Sequence, residues 1–267
     1  MAELKPATVP ALPRVAGNTD TSFLKIVALI FMIIDHVGVA FFSGVPELRV
    51  LGRIAMPLYA WCLVVGIEYT HSALRYAFRL FVLGIVSQPF YVMALNNHWT
   101  DFNILFLFSI AVLGIAGIKA KYYGSQFWAP ALCIVLLQYI HVDYGLNGFL
   151  FILVLYAARH TKSGLAAAFL VAAAFWGTVS FPVNSLFGVP LSFMVGTPLN
   201  PVRKLFFQMQ AFMWMALPLI LIQTHADLRM PKWMGYGLYP IHLLALILVG
   251  LLLGIPLSHY ISLLVTF

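Results

Sequence analysis

Apolar residues gather into long runs separated by short polar stretches. A membrane-spanning helix takes roughly 20 mostly apolar residues, and runs approaching that length occupy 22–43, 51–69, 76–95, 102–118, 126–141, 145–160, 164–181, 204–224 and 235–256. The pattern predicts an all-α, polytopic transmembrane helix bundle of about nine spans, with eight to ten as bounds. The stretch 186–195 is apolar, but Pro182, Pro190, Pro198 and Pro201 surround and interrupt it. It reads as a re-entrant or interfacial segment. Pro57, Pro89, Pro218 and Pro240 lie within or near span ends, where a missing backbone donor produces kinks. Residues 1–21 carry no apolar run of their own and read as a flexible or surface-lying tail. Residues 22–267 form a single transmembrane domain with no visible internal repeat.

Composition agrees with a lipid solvent. Of 267 residues, 63% are hydrophobic and 9% charged, with a mean hydropathy of +0.97. A soluble domain is nearer to a quarter charged, so this chain cannot cover a water-facing surface. The net charge of +7 needs no nucleic acid as partner, because Lys and Arg in cytoplasmic loops account for it. Cys62 and Cys133 both lie in apolar runs and form neither a disulfide framework nor a zinc spacing, and no metal is expected.

Charge placement orients the bundle. With the amino terminus cytoplasmic, inner segments carry Lys5, Arg14 and Lys25, then Arg75 and Arg79, Lys119 and Lys121, Arg159 and Lys162, and Arg229 and Lys232. Outer loops hold few cations, apart from Arg49, Arg53, Arg203 and Lys204. That asymmetry follows the positive-inside rule.

Within this frame the first span contains an adjacent Asp35 and His36. Ionisable side chains at membrane depth face a protein interior or a wet cavity and mark a pathway or a reaction centre. Thirteen residues from Ser22 to Asp35 correspond to roughly 20 Å of helix, which puts the pair in the outer half of the membrane. The same half receives Arg49 and Arg53 at i, i+4, then Asp101 and Asn103, His141 and Asp143, and finally Asn184, Asn200 and Arg203. Adjacent positions lie about 100° apart on a helix, so Asp35 cannot readily orient the His36 ring. It is expected to pair with Arg49 or Arg53. Either arginine could instead snorkel to the headgroups, and Asp143, beside Tyr144-Gly145, has the character of a turn residue. His242, just after Pro240 at membrane depth, is a further candidate. An acid–His pair with arginines and amides can relay protons and hold an anion.

The blocks Asp35-His36-Val37-Gly38 and Leu48-Arg49-Val50-Leu51-Gly52-Arg53-Ile54-Ala55-Met56-Pro57 resemble the opening of the TraX family. Ser87-Gln88-Pro89-Phe90, Asp143-Tyr144-Gly145-Leu146-Asn147-Gly148 and Leu238-Tyr239-Pro240-Ile241-His242 follow in the family's order, so the likeness runs from about 22 to 245. Met56 stands where the family pattern has Phe.

The resemblance implies a membrane acyltransferase of the bacterial cytoplasmic membrane. It would move an acetyl or other short acyl group from acetyl-CoA to an amine or hydroxyl, such as the N-terminal amine of a pilin, or a glycan. His36 is then the expected general base, with Asp35, Arg53, Asp143 and His242 completing the catalytic set. Coenzyme A is phosphorylated and cytosolic, so Arg75, Arg79, Lys121 and Arg159 are expected at its nucleotide end. Acyl-CoA, a pilin-like acceptor or glycan, and membrane lipids are the expected partners. Two other readings use the same residues: a proton-coupled transporter, and a non-catalytic subunit of a pilus or secretion assembly.

Overall fold

A computed structural model describes residues 15–177, 179–226, 228 and 230–265 of this chain. Lys5, Arg14 and Arg229 lie outside the described residues. Helix α1 (Thr21–Phe41) leads into a short α2 (Pro46–Gly52), then α3 (Ala55–Tyr69) and α4 (Ala73–Leu95). Next come α5 (Ile104–Ala120), α6 (Ser125–Tyr139), α7 (Gly145–Ala158) and α8 (Lys162–Gly177). After an irregular stretch the chain forms α9 (Asn200–Phe206), a 3₁₀ segment Gln210–Ala216, α10 (Leu217–Leu221), α11 (Lys232–Leu252) and α12 (Leu257–Val265).

The helix ends follow local chemistry. Asp20 caps α1 by accepting from the Phe23 amide (3.1 Å), Ser72 caps α4 through Arg75, and Asn103 caps α5 through Leu105. The α4 and α5 helices stop at Asn96 and Lys121, both left-handed, as a helix end favours. Burial raises the Asp20 carboxyl, but donors from Ala226 and Phe23 outweigh it and hold the group below its ordinary range.

Helix α3 is the hub, with nearly every side chain from Ala55 to Val65 buried against α1, α5, α7 and the 3₁₀ segment. Around it the helices close on small residues. A Cβ on Gly117 of α5 would collide with Ala129 of α6, so those two backbones touch through that position. Two-residue strands β1 (Asp101–Phe102) and β2 (His141–Val142) pair in parallel and tie the α4–α5 link to the α6–α7 link. The Asp143 amide extends that tie by donating to Phe102 O at 2.8 Å.

Three stretches, Thr21–Phe41, Pro46–Tyr69 and Ala73–Leu95, are long and apolar enough to cross a membrane. The helices Ile104–Ala120, Gly145–Ala158 and Lys162–Gly177 are apolar but shorter, and further apolar stretches are Met209–Leu221 and, within α11, Gly237–Leu252. Outward-facing positions are apolar too: Phe78, Phe81, Ile85 and Val86 on α4, and Ile241, Leu248 and Val249 on α11, are exposed. Water-soluble monomers rarely expose apolar patches beyond a few hundred Å². The chain is an all-α membrane protein.

Two local expectations need correction. The run 204–224 is not one helix, because α9 stops at Phe206 and Pro182 bridges to Gln208. The chain restarts as a 3₁₀ turn before α10, where Pro218 takes a first-turn position that needs no donor. Residues 186–195, read as a non-spanning segment, form no α-helix: strands β3 (Ser185–Leu186) and β4 (Val189–Pro190) make a hairpin that runs into a 3₁₀ turn at Leu191–Met194. Residues 15–20, read as part of the tail, are docked into the bundle. Ala16 N donates to Arg159 O (2.7 Å), Asn18 N to Ile220 O (2.6 Å), and Trp61 Nε1 to Asn18 O (2.7 Å).

Candidate active site

Asp35 anchors the site. Arg53 Nη2 reaches both of its carboxylate oxygens, at 2.7 and 2.9 Å, and Arg49 Nη1 reaches Oδ2 at 2.9 Å. The i, i+4 spacing of the two arginines puts both guanidinium groups on the face of the α2–α3 junction that meets α1. Glycine makes the approach possible, because a Cβ on Gly52 would occupy the space of the Asp35 side chain. Arg53 is only 4% exposed, and its other nitrogens are also used. Nε donates to Arg49 O (3.1 Å) and Nη1 to Gln210 Oε1 (3.2 Å), while the guanidinium lies 5.7 Å from the Tyr144 ring centroid. The pairing read from helix geometry is the one observed, and both arginines share it.

His36 turns away from that ion cluster. Its Nδ1 lies 2.8 Å from His242 Nε2 of α11, and the two rings stack with centroids 5.0 Å apart. His242 Nδ1 lies 3.0 Å from Leu238 O, one turn earlier on its own helix. Residues more than 200 apart in sequence thus form a buried imidazole pair.

A cavity of about 800 Å³ connects these groups to the far end of the bundle. Its wall on α1 is the stripe Ser22, Lys25, Leu29, Met32, Asp35, His36 and Val39. These positions recur at helical spacing and extend over about 26 Å at 1.5 Å per residue. One end holds Asp35, His36, Arg49, Arg53, Asp143 and Tyr144; the other holds Lys25, Tyr69, Thr70, Tyr76 and Arg79. Between them the lining is mostly apolar and aromatic, including Met32, Met56, Tyr59, Cys62, Leu63 and Tyr239. The volume lies within the range of sites for small molecules and cofactors.

Asp143 sits in the turn between α6 and α7, held by the β1–β2 tie, and lines this cavity near Arg53. Burial pushes its carboxyl up to about 6, with Arg53 pulling it the other way. Its neighbours Asp101 and Asn103 have a different job. Gln88 Nε2 donates to Asp101 O (2.8 Å), and Asn103 donates to Gln88 Oε1 from both its amide and its side chain, at 3.1 and 2.8 Å. That network seals the end of α5 instead of facing the cavity.

The cations expected at a nucleotide separate into two groups. Arg79 lines the cavity, and so does Lys25, which the charge pattern had marked only as a topological signal. Arg75, Lys121 and Arg159 do not line it. Arg159 pairs with Glu68 (3.2 Å) and stacks 3.8 Å over the Tyr156 ring, and Lys121 is an exposed helix cap.

Comparison with known proteins fits this arrangement. The family model described as TraX protein matches residues 20–250, which takes in every cavity-lining group of the His36 end as well as His242. The chain belongs to the TraX family. Among curated proteins, a probable fimbrial assembly protein FimC, serogroup H1, of Dichelobacter nodosus is 27% identical over 56% of this chain and 67% of its own length. Protein TraX of Escherichia coli is 31% identical over 52% of this chain and 56% of its own, and an uncharacterized protein of Rickettsia prowazekii is 26% identical over 53% and 57%. The chain therefore spans between about half and two-thirds of the relatives it matches. No solved structure matches it.

The TraX motif blocks thus converge in space: the Asp35-His36 and Gly52-Arg53 blocks meet directly, and the blocks holding Asp143 and His242 close around them. Sequence reasoning missed the tyrosines Tyr59, Tyr91 and Tyr239 that line the cavity. The available signal was helical spacing from a polar wall residue, as for Tyr59, which follows Arg53 and Met56 at steps of three from the α2–α3 junction into α3. It also missed Gln210, which lies 157 residues from its partner Arg53 and has no local signature.

Proposed function

We propose that this protein is an integral membrane acyltransferase, moving an acetyl or other short acyl group from acyl-CoA to an acceptor amine or hydroxyl. The observation that carries this reading is the single cavity joining a mouth with Lys25 and Arg79 to a buried His36. Two cations with Tyr69 and Tyr76 suit a phosphorylated nucleotide, and the apolar lumen suits a long, thin thioester arm. In this reading the bundle has about nine spans, with the amino terminus and the Lys25 mouth cytoplasmic. The acyl-CoA enters from the cytoplasm, and the acceptor meets His36 from the outer side of the bacterial cytoplasmic membrane. The names of the relatives, a fimbrial assembly protein and a TraX protein, favour a pilin-like acceptor.

In the proposed reaction His36 takes the proton of the acceptor amine or hydroxyl as the nucleophile attacks the thioester carbonyl. The tetrahedral oxyanion collapses, breaking the C–S bond, and the proton held by His36 passes to the departing thiolate. Arg49 and Arg53 keep the oxyanion end positive, a field worth several kcal/mol in a water-poor site. Asp143, which has no ion pair among the described residues, faces the same space and suits an acceptor ammonium or a released proton.

The test is purified protein in lipid nanodiscs with radiolabelled acetyl-CoA and candidate pilins, peptides and glycans. Label should pass to an acceptor, and His36→Ala should lower the rate about 10²–10⁴-fold, the range for removing a general base. Substrate uptake into proteoliposomes without label transfer would favour the transporter reading. Neither uptake nor transfer, with pilus assembly still dependent on the protein, would favour a structural subunit.

A further inference from the structure

We infer that His242 is a positioning residue that fixes the tautomer of His36, leaving Nε2 of His36 as the basic nitrogen. A carbonyl oxygen can only accept, so the 3.0 Å contact with Leu238 O puts a proton on His242 Nδ1. A neutral His242 ring then has a bare Nε2. That atom lies 2.8 Å from His36 Nδ1, which must therefore be the donor of the pair. With its proton on Nδ1, a neutral His36 carries its lone pair on Nε2. No hydrogen bond engages that nitrogen among the described residues, and His36 lines the cavity while His242 stands behind it.

The alternative assignment makes His242 a cation that donates from both nitrogens. It would leave a buried charge with no carboxylate in ion-pair range among the described residues. An unpaired buried charge is costly enough that such groups ordinarily give up the proton. The neutral chain from His36 through His242 to Leu238 O has no such defect.

The device matters because a histidine ring tautomerises freely unless one nitrogen is committed by a hydrogen bond. The commitment here comes from a main-chain carbonyl on the same helix, so it is as rigid as α11 itself. Asp35 cannot serve this purpose, being fully engaged with Arg49 and Arg53. In a serine protease the carboxylate that orients the catalytic histidine plays the same part, and its loss as an acceptor lowers kcat about 10⁴-fold.

The tautomer stands independently of the reaction, whereas its catalytic consequence rests on the acyl-transfer reading. The test is therefore split. Full-length protein in nanodiscs with ¹⁵N-labelled histidine rings, with the His36 signals assigned by their loss in His36→Gln, should show His36 protonated on Nδ1. His242→Phe should move that proton to Nε2. It should also lower kcat for transfer at least about 100-fold, with KM for acyl-CoA unchanged. His242→Gln, whose Oε1 can accept from His36 Nδ1, should regain at least about tenfold over the Phe variant. A wild-type His36 protonated on Nε2 would overturn the assignment. A His242→Phe enzyme with full kcat would remove the positioning role even if His36 remains the base.

Discussion

Replacing Arg53 with Lys separates a planar, multidentate role from a merely charged one. The wild-type guanidinium makes four contacts from three nitrogens: two to Asp35, one to Gln210 and one to the Arg49 carbonyl. A lysine ammonium is a single nitrogen on a flexible stem. It can keep the Asp35 contact, but it abandons Gln210 and Arg49 O. A hydrogen bond from a charged group contributes about 1.5–3 kcal/mol, so losing two removes about 3–6 kcal/mol before neighbours adjust. If half of that loss falls on the transition state, transfer drops by about 10–100-fold. Arg49→Lys provides the internal control. Arg49 makes one contact to Asp35, and its side chain is 34% exposed, so the change should cost no more than about 1 kcal/mol. The assay pairs label transfer from acetyl-CoA with thermal unfolding in one detergent. Arg53→Lys should lose activity and melt at lower temperature, with Arg49→Lys close to wild type in both. Equal, near-normal behaviour of the two variants would refute the argument and reduce the Gly52-Arg53 segment to a packing element.

Gly52→Ala should be at least as damaging as Arg53→Lys, because its methyl group occupies the Asp35 carboxylate's space; unchanged melting and transfer would contradict the close α1–α2 approach. The raised Asp143 carboxyl predicts an acid limb near pH 6 in the transfer profile that disappears in Asp143→Asn, and an unmoved limb would assign it to another group. The corresponding stability effect has a definite sign: a carboxyl that binds its proton more tightly when folded makes stability fall as pH rises from about 4 towards about 6. Cysteines at Lys121 and His141, both exposed, should react with impermeant reagents from opposite sides of sealed vesicles; same-side labelling would overturn the cross-membrane arrangement.

Hydropathy by itself determined the solvent class and the positions of most helices. An 18-residue apolar stretch in a chain with 9% charge has few fates other than a membrane helix. It also marked Asp35 and His36, since an ionisable pair inside such a run is costly wherever it is unused. Helix geometry went one step further and directed Asp35 to the arginines, because the angular step between neighbours is fixed by the backbone.

Other features were decided only when the helices packed. A helix apolar on every side looks the same whether it faces lipid or protein, so nothing local named α3 as the hub. The run 204–224 has the composition of a span, yet Pro218 and the bridge from Gln208 to Pro182 divide it. Basic residues in loops look alike in sequence, and only the course of the cavity separates Lys25 and Arg79 from Arg75, Lys121 and Arg159. His36 and His242 are 206 residues apart, and nothing in either segment specifies the other as its partner. Their contact exists because α1 and α11 lie side by side, and that neighbour relation is set by the packing of the whole bundle.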